Sequence, residues 1–269
     1  MANRKEFEEK VDVLVKKKIE RKLFKKKDSE EYEVVEEVFD IHTLMALYDL
    51  YNRGYIEKIY GVVASGKEAR IYWGISPQGE DLAIKIFLVA TAEFRRSMLK
   101  YIEGDPRFKK VKRKRRHLIR AWCSKEFKNL KLAQKAGVRV PKPIAFKENV
   151  LVMEFINAKG KRGVPAPLLK EAPPSDPEYA YNVILDYIRK LYINAELIHA
   201  DLSEYNILNR EPEFIIIDWG SAVKKSHPNA YDFLVRDIKN ILAYFRRLGV
   251  KVDDYNNIVR ELLEHNPLY

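Results

Sequence analysis

The stretch from Leu197 to Gly220, LIHADLSEYNILNREPEFIIIDWG, constrains the fold of this chain more than any other. Two short apolar runs, 207–208 and 214–217, flank a polar turn around Pro212. Short apolar runs on either side of such a turn are typical of an antiparallel β-hairpin. The stretch therefore predicts a small hairpin with polar residues at its open end.

Three of these polar residues, Asp201, Asn206 and Asp218, occur in a spacing that suits phosphoryl transfer. The hairpin would bring Asn206 and Asp218 side by side, where an amide oxygen and a carboxylate can hold a divalent metal on phosphates. Asp201 would orient the attacking oxygen. Any one of them alone is more simply a loop residue or the end of a strand. Together and in this order they indicate a phosphotransferase site.

Composition narrows the class of protein. The chain has 269 residues, 46% of them hydrophobic, which is enough for one large or two small domains. Its longest apolar runs are too short to cross a bilayer, so we expect no membrane partner. The single cysteine, Cys123, cannot form an internal disulfide. These features predict a cytoplasmic protein.

The charge distribution points to an anionic partner. The formal charge is +11 and the pI about 9.4, and the excess cations concentrate in segments 4–27 and 107–120. For 4–27 a solvated helix face is an equally good interpretation. The unbroken run of five cations at 112–116 repels itself unless an anion lies nearby. We therefore expect a polyanion to bind segment 107–120.

The turn from Ser65 to Glu68, which contains Gly66 and Lys67, is predicted to cover phosphates. With Gly61 it nearly forms a Walker A loop. However, Glu68 replaces the metal-binding hydroxyl, and a strand follows where a P-loop requires a helix. A glycine turn between antiparallel strands is the kinase alternative.

A lysine inside a strand supports this interpretation. Lys85 lies within the apolar run LAIKIF, and a lysine in such surroundings usually faces an anion. In a kinase site it would contact the α- and β-phosphates and pair with a helical glutamate. Glu126 is the preferred partner, and Glu93 is the second candidate.

The strand that ends near residue 155 is predicted to form the hinge. Met153 would lie behind the adenine, and backbone groups of Glu154 and Ile156 would face the edge of the base.

The periodicity predicts an α+β fold of two lobes, like that of protein kinases. The predicted strands are 60–63, 69–75, 82–87, 144–146, 150–155, 207–208 and 214–217. The predicted helices are 3–27, 41–53, 124–137, 179–195, 230–248 and 253–264. We divide the chain into a helical N-terminal extension (1–59), a β-rich N-lobe (60–155) and a helical C-lobe (156–269). We expect a truncated C-lobe, because no Ala-Pro-Glu motif follows Gly220.

Six segments together resemble the RIO family of atypical serine/threonine kinases: SGKEARIYWG, LAIKIF, AWCSKEFKNL, VLVMEFI, LIHADLSEYNIL and IIIDWGSAV. The resemblance covers roughly residues 40–250. It is greater to the first-described subgroup, which lacks an N-terminal winged-helix domain.

The resemblance implies an enzyme that uses ATP with Mg²⁺, or Mn²⁺ in its place, in maturation of the small ribosomal subunit. Precursor RNA of that subunit, and not DNA, would then bind segments 4–27 and 107–120. It implies that Asp201 is the catalytic base and that Asn206 and Asp218 are the metal ligands. It also implies ATPase activity in which Asp218 transiently accepts phosphate. The family's long loop before the glutamate helix corresponds to 88–120. Its autophosphorylated serine is not carried over, because segment 107–120 contains no Ser or Thr.

Two alternatives remain open. One is a small-molecule phosphotransferase of the aminoglycoside-kinase type, which uses similar His-x-Asp and Ile-Asp-Trp patterns. The other is an RNA-binding assembly factor that uses nucleotide as a switch, with negligible turnover. The sequence leaves the oligomeric state open.

Overall fold

The computed structural model describes residues 39–88, 92–108 and 114–265. These residues form two compact units. The first contains 39–88 and 144–155, and the second contains 92–108, 114–143 and 156–265. The predicted helix 3–27 and the cations of segment 4–27 lie outside the described residues.

The first unit is a five-stranded antiparallel sheet with one helix. Its strands are β1 (Lys58–Ser65), β2 (Ala69–Ile75), β3 (Asp81–Phe87), β4 (Pro143–Lys147) and β5 (Val150–Glu154). Their order across the sheet is β1-β2-β3-β5-β4. Strand β3 is central, and residues 82–87 are all buried, which explains its unbroken apolar run.

Helix α1 (Ile41–Asn52) supplies much of the core of this unit. It begins at Asp40, whose side chain accepts a hydrogen bond from the Thr43 backbone N–H at 2.8 Å, a common N-cap arrangement. Its fully buried leucines pack with the sheet residues Ile84 and Val152 in one cluster. These leucines are Leu44, Leu47 and Leu50. Burial of such side chains stabilises the unit by about 1.5–3 kcal/mol each.

The second unit is mainly helical. Its helices are α2 (Ala92–Ile102), α3 (Arg115–Lys135), α4 (Pro177–Lys190), α5 (Ala230–Arg247) and α6 (Tyr255–His265). A π-helical turn over Leu191–Ala195 extends α4, and a 3₁₀ turn covers Pro106–Phe108. A bidentate ion pair between Arg189 and Glu261, at 2.8 and 3.0 Å, joins α4 to α6.

Short strands in the second unit place the polar residues singled out in the sequence. Strands β9 (Ile207–Arg210) and β10 (Glu213–Ile216) form the predicted hairpin. Strand β8 (Leu197–Ile198) precedes the hairpin in the chain and β11 (Val223–Lys224) follows it, and these two strands pair antiparallel. The remaining pair is β6 (Asn157–Ala158) with β7 (Lys161–Pro165).

Most predicted elements are confirmed to within a few residues, but two predictions need correction. Helix α3 begins at Arg115, not at Ser124, because Leu118, Ile119 and Trp122 already form its buried face. The predicted loop 88–120 contains helix α2 and a 3₁₀ turn. Helix α3 and residues 92–108 and 114–120 belong to the second compact unit, although the sequence predicts them in the N-lobe.

Within the described ranges, none of the helices has the length and apolar character needed to cross a membrane.

Candidate active site

Helix α5 fixes the backbone on both sides of Asp201. The carboxylate of Asp237 accepts hydrogen bonds from the backbone N–H groups of Ala200, at 2.7 Å, and Leu202, at 2.9 Å. The guanidinium of Arg236 donates to the carbonyl of Ala200. Asp201 lies between these anchored residues and is itself exposed. The loop is therefore held through its main chain, and the side chain of Asp201 remains accessible.

Asp237 is a supporting residue that the sequence motifs do not reveal. It lies on the buried face of an amphipathic helix, more than thirty residues after the loop it holds. Burial raises the pKa of its carboxyl to about 7, while the two N–H donors and Arg236 act in the opposite direction. The signal in the sequence is an aspartate on the otherwise apolar face of a predicted helix, where a polar side chain needs hydrogen-bond partners.

Replacement of Asp237 by asparagine should lower the free energy of unfolding by about 1–3 kcal/mol, because an amide NH₂ would then face a backbone N–H and leave it without an acceptor. Urea denaturation of the two proteins measures the difference. The matched control is Asp232→Asn, an exposed carboxylate in the first turn of the same helix, with an expected change below about 1 kcal/mol. Equal stability of Asp237→Asn and wild type would contradict this role.

Asp201 has an environment that favours proton uptake. The residue is exposed as a whole, but the surrounding protein partly excludes water from its carboxyl. This desolvation is the main cause that raises the pKa of Asp201, and the charge on Asp218 is the second. Arg236 and Asn206 lower the pKa but only partly offset the rise. A carboxylate with a raised pKa is better suited to accept a proton near neutral pH.

Asn206 is hydrogen-bonded to Asp201 and to the residue that precedes Asp218. Its side-chain NH₂ donates to the backbone carbonyl of Asp201 at 2.7 Å and to the Asp201 carboxylate at 3.3 Å. Its own backbone carbonyl accepts from the N–H of Ile217 at 2.9 Å, the residue before Asp218. With the amide donors turned towards Asp201, the Oδ1 atom of Asn206 is the group that can bind a cation.

Asp218 has a left-handed backbone, with φ of 63°, and is exposed. The residues on either side are held: Ile217 is half-buried and Trp219 is buried. His199 Nε2 lies 3.0 Å from the carbonyl of Ile217, and the indole N–H of Trp219 donates to the carbonyl of Ile216 at 2.9 Å. The carboxylate thus projects from a rigid turn. Together with the amide of Asn206 it provides the hard oxygen donors that Mg²⁺ prefers.

The first unit contains the other predicted phosphate-binding residues. Lys85 is only 8% exposed on β3, with Ile71 and Leu151 as its cross-strand partners. The Ser65–Glu68 turn joins β1 to β2, and the N–H of Gly66 donates to the carbonyl of Ala69 at 3.0 Å. A Cβ on Gly66 would meet only that carbonyl, at 3.6 Å. Packing within the unit therefore does not require glycine there, whereas close approach of a ligand would.

The remaining predicted site residues lie at the end of β5 and on α3. Met153 is buried opposite Ala83, and Glu154 is the last residue of β5. The carbonyl of Ile156 accepts a hydrogen bond from the N–H of Ala166 at 2.9 Å. The roles of these three residues stay predictions.

Glu126 is 1% exposed on α3 in the second unit. Its pairing with Lys85, which belongs to the first unit, also stays a prediction.

The structure thus brings Asp201, Asn206 and Asp218 together in the helical unit, and it buries a lysine in the central strand of the sheet unit. These features define the chain as a kinase-like phosphotransferase. A family model described as "RIO domain" matches residues 70–258. The chain belongs to the RIO family of serine/threonine kinases.

Named relatives agree with this assignment. The chain is 43% identical to the RIO-type serine/threonine-protein kinase Rio1 of Haloferax volcanii over 84% of this chain and 77% of that protein. It is also 43% identical to the Rio1 kinase of Methanocaldococcus jannaschii, over 82% and 74% of the two chains. Human RIO1 is 37% identical over 91% of this chain and 42% of the human protein. These relatives confirm the predicted subgroup.

Solved structures confirm the α+β kinase fold. The Rio2 kinase of Chaetomium thermophilum, in an ADP/Mg²⁺-phosphoaspartate complex, matches with a TM-score of 0.63 and 23% identity. The match covers 86% of this chain and 73% of that one. A second Rio2 structure from the same organism matches with a TM-score of 0.61 at 26% identity, over 81% of this chain and 67% of that one.

Proposed function

We propose that this chain is an ATP- and Mg²⁺-dependent serine/threonine kinase and ATPase that acts in the cytoplasm in maturation of the small ribosomal subunit. The observation that carries the proposal is the hydrogen-bonded arrangement of Asp201 and Asn206, with Asp218 fixed beside them by the Ile217 contact. The family membership supports the kinase class. The archaeal relatives match over most of their length, which favours a shared activity.

The residues divide the chemistry as follows. Asn206 and Asp218 would hold Mg²⁺, which when bound neutralises charge on the phosphates. Lys85 would contact the α- and β-phosphates, with Glu126 as its partner, and the Ser65–Glu68 turn would cover them. Asp201, with its raised pKa, would accept the proton of the attacking hydroxyl.

For the ATPase reaction we propose that Asp218 itself accepts phosphate. A carboxylate oxygen of Asp218 attacks the γ-phosphorus, the bond to the bridging oxygen breaks, and ADP leaves with the electron pair. Water, from which Asp201 would accept a proton, then hydrolyses the acyl phosphate, releasing inorganic phosphate and restoring the carboxylate. The exposure of Asp218 on a rigid turn suits this attack, because the nucleophile is accessible and already oriented.

We propose that RNA of the precursor small subunit binds the basic segments. Residues 115–120 of the second basic segment form the start of α3. The first turns of α3 bury Leu118 and Ile119 and expose a run of cations. The exposed members are Lys114, Arg115, Arg116 and Arg120. Arg107, by contrast, is only partly exposed, and its guanidinium is bonded to Asp105 and Asn129.

This partner proposal has a direct test. ATP hydrolysis should rise when precursor small-subunit particles are added, and the triple variant Arg115→Gln, Arg116→Gln, Arg120→Gln should lose much of that stimulation. In RNA-binding titrations against salt, its slope should fall by up to about 3, close to one for each phosphate contact removed.

The matched control for that test is Lys131→Gln with Lys135→Gln, which removes exposed charge from the other end of the same helix. It should retain both the stimulation and the slope. If the triple variant keeps its salt slope, the cations of α3 are only a solvated face. If particles fail to stimulate the wild type, the ribosomal role is contradicted, but the phosphotransferase assignment is not.

A further inference from the structure

The chain that follows Asp218 lies against two buried polar side chains of α3. The ammonium of Lys125 donates to the carbonyl of Gly220 at 2.8 Å and also to the carbonyl of Ala222. The side-chain amide of Asn129 donates to the carbonyls of Trp219 and Ala222, each at 2.9 Å. Both side chains are completely buried. Helix α3 thus binds three of the four carbonyl groups in residues 219–222.

A second pair of residues orients the amide of Asn129. Arg107 donates from Nη1 to the Oδ1 atom of Asn129 at 2.9 Å. The guanidinium is itself held by Asp105 through contacts of 2.9 and 2.7 Å, and Asp105 is 1% exposed. With its oxygen occupied by Arg107, Asn129 must present its NH₂ group to the loop. The orientation is therefore fixed by a connected network.

The contact between loop and helix has no spare room. A Cβ added to Gly220 would lie 2.7 Å from two atoms of the Trp122 ring, which a real side chain could not tolerate. Gly220 is thus needed so that its carbonyl can reach Lys125. The loop cannot shift along α3 without breaking either this packing or the hydrogen bonds.

Burial of a charged ammonium such as that of Lys125 costs free energy, which an apolar side chain in the same place would not. Burial lowers the pKa of its ammonium to about 7, even though Asp105 and Glu126 act in the opposite direction. Buried charged residues are often replaceable by apolar ones of similar volume without loss of stability. The presence of a buried cation therefore suggests a role in placing the carbonyls it binds.

We propose that Lys125 and Asn129 are positioning residues for Asp218: by holding the carbonyls of residues 219, 220 and 222, they set the direction in which its carboxylate projects towards Mg²⁺. His199 holds the chain on the other side, at Ile217. The two contacts bracket Asp218, an exposed, left-handed residue that lies in neither a helix nor a strand. The inference rests on the proposed function, since that function makes Asp218 a metal ligand.

The test measures how much Mg²⁺ improves nucleotide binding. The dissociation constant of ADP is determined calorimetrically, once with Mg²⁺ and once with EDTA, and the ratio of the two gives the gain due to the metal. Lys125→Met should reduce this gain about tenfold, or about 1.4 kcal/mol, and leave binding in EDTA unchanged. Lys125→Gln should retain more of the gain, because its amide can still donate to a carbonyl.

The matched control is Lys135→Met, an exposed lysine in the last turn of the same helix, which should show the wild-type gain. Thermal unfolding separates positioning from general stability, since a purely structural role would lower the melting temperature of Lys125→Met without changing the gain. A Lys125→Met protein with the full Mg²⁺ gain overturns the inference alone. A wild type without any gain overturns the proposed metal role, and this inference with it.

If Lys125→Met does not fold, Arg107→Met provides the second test. It leaves Lys125 in place and removes the group that orients Asn129. The Mg²⁺ gain should then fall about threefold. A folded Arg107→Met protein with an unchanged gain contradicts the network as a positioning device.

Discussion

Replacement of Asp218 by asparagine should reduce ATP turnover by at least about 1,000-fold, which corresponds to about 4 kcal/mol of transition-state stabilisation. Asparagine keeps the size of the side chain and, like aspartate, tolerates the left-handed backbone at φ of 63°. The fold should therefore survive, and the loss should come from the missing carboxylate. Steady-state ATP hydrolysis at saturating Mg²⁺ measures the effect.

The same variant tests the covalent role. Incubation of wild type with γ-labelled ATP should label the protein in a bond that hydroxylamine cleaves, as expected of an acyl phosphate, and Asp218→Asn should not become labelled. Asp186→Asn, a partly exposed carboxylate on α4, is the matched control and should retain both turnover and label. Labelling that persists in Asp218→Asn would show that another residue accepts the phosphate.

Replacement of Asp201 by alanine should lower turnover about 100-fold or more, which is the usual contribution of a general base. Nucleotide affinity with Mg²⁺ should change little, because Asp218 and Asn206 remain. The backbone of the loop should also persist, since Asp237 holds it through the N–H groups of residues 200 and 202 and not through the Asp201 side chain. The measurements are single-turnover hydrolysis and ADP binding on the same preparation.

A second substitution separates two roles of Asp201. Its carboxylate accepts a hydrogen bond from Asn206, so its loss could act by releasing that amide. Asp201→Asn retains an acceptor oxygen but cannot take up a proton. If Asp201→Asn is as inactive as Asp201→Ala, proton transfer is the essential role. If Asp201→Asn is active, the contribution of Asp201 is to position Asn206.

The hairpin and its three polar residues could be predicted because their signals are local. Two apolar runs, a proline turn and the spacing from Asp201 to Asp218 all lie within one short stretch. Lys85 could be predicted for the same reason: a cation inside an apolar strand needs a special environment, and the strand is indeed buried.

The residues that support the site could not be predicted from sequence. Asp237, Lys125 and Asn129 contact the loop from helices that are distant in the chain, and each looks like an ordinary polar residue of an amphipathic helix. The start of α3 was missed for a related reason. Its first turn is dense in cations, which conceals the buried pair Leu118 and Ile119.

The left-handed backbone at Asp218 has a consequence for the descent of such enzymes. Few residues adopt this conformation cheaply, and besides glycine the main ones are aspartate and asparagine. A change from an Asp codon to an Asn codon requires one nucleotide. An active enzyme of this kind is therefore one mutation away from a folded protein without the carboxylate. Folding alone does not distinguish aspartate from asparagine at this position, so only the chemistry proposed for the site favours aspartate.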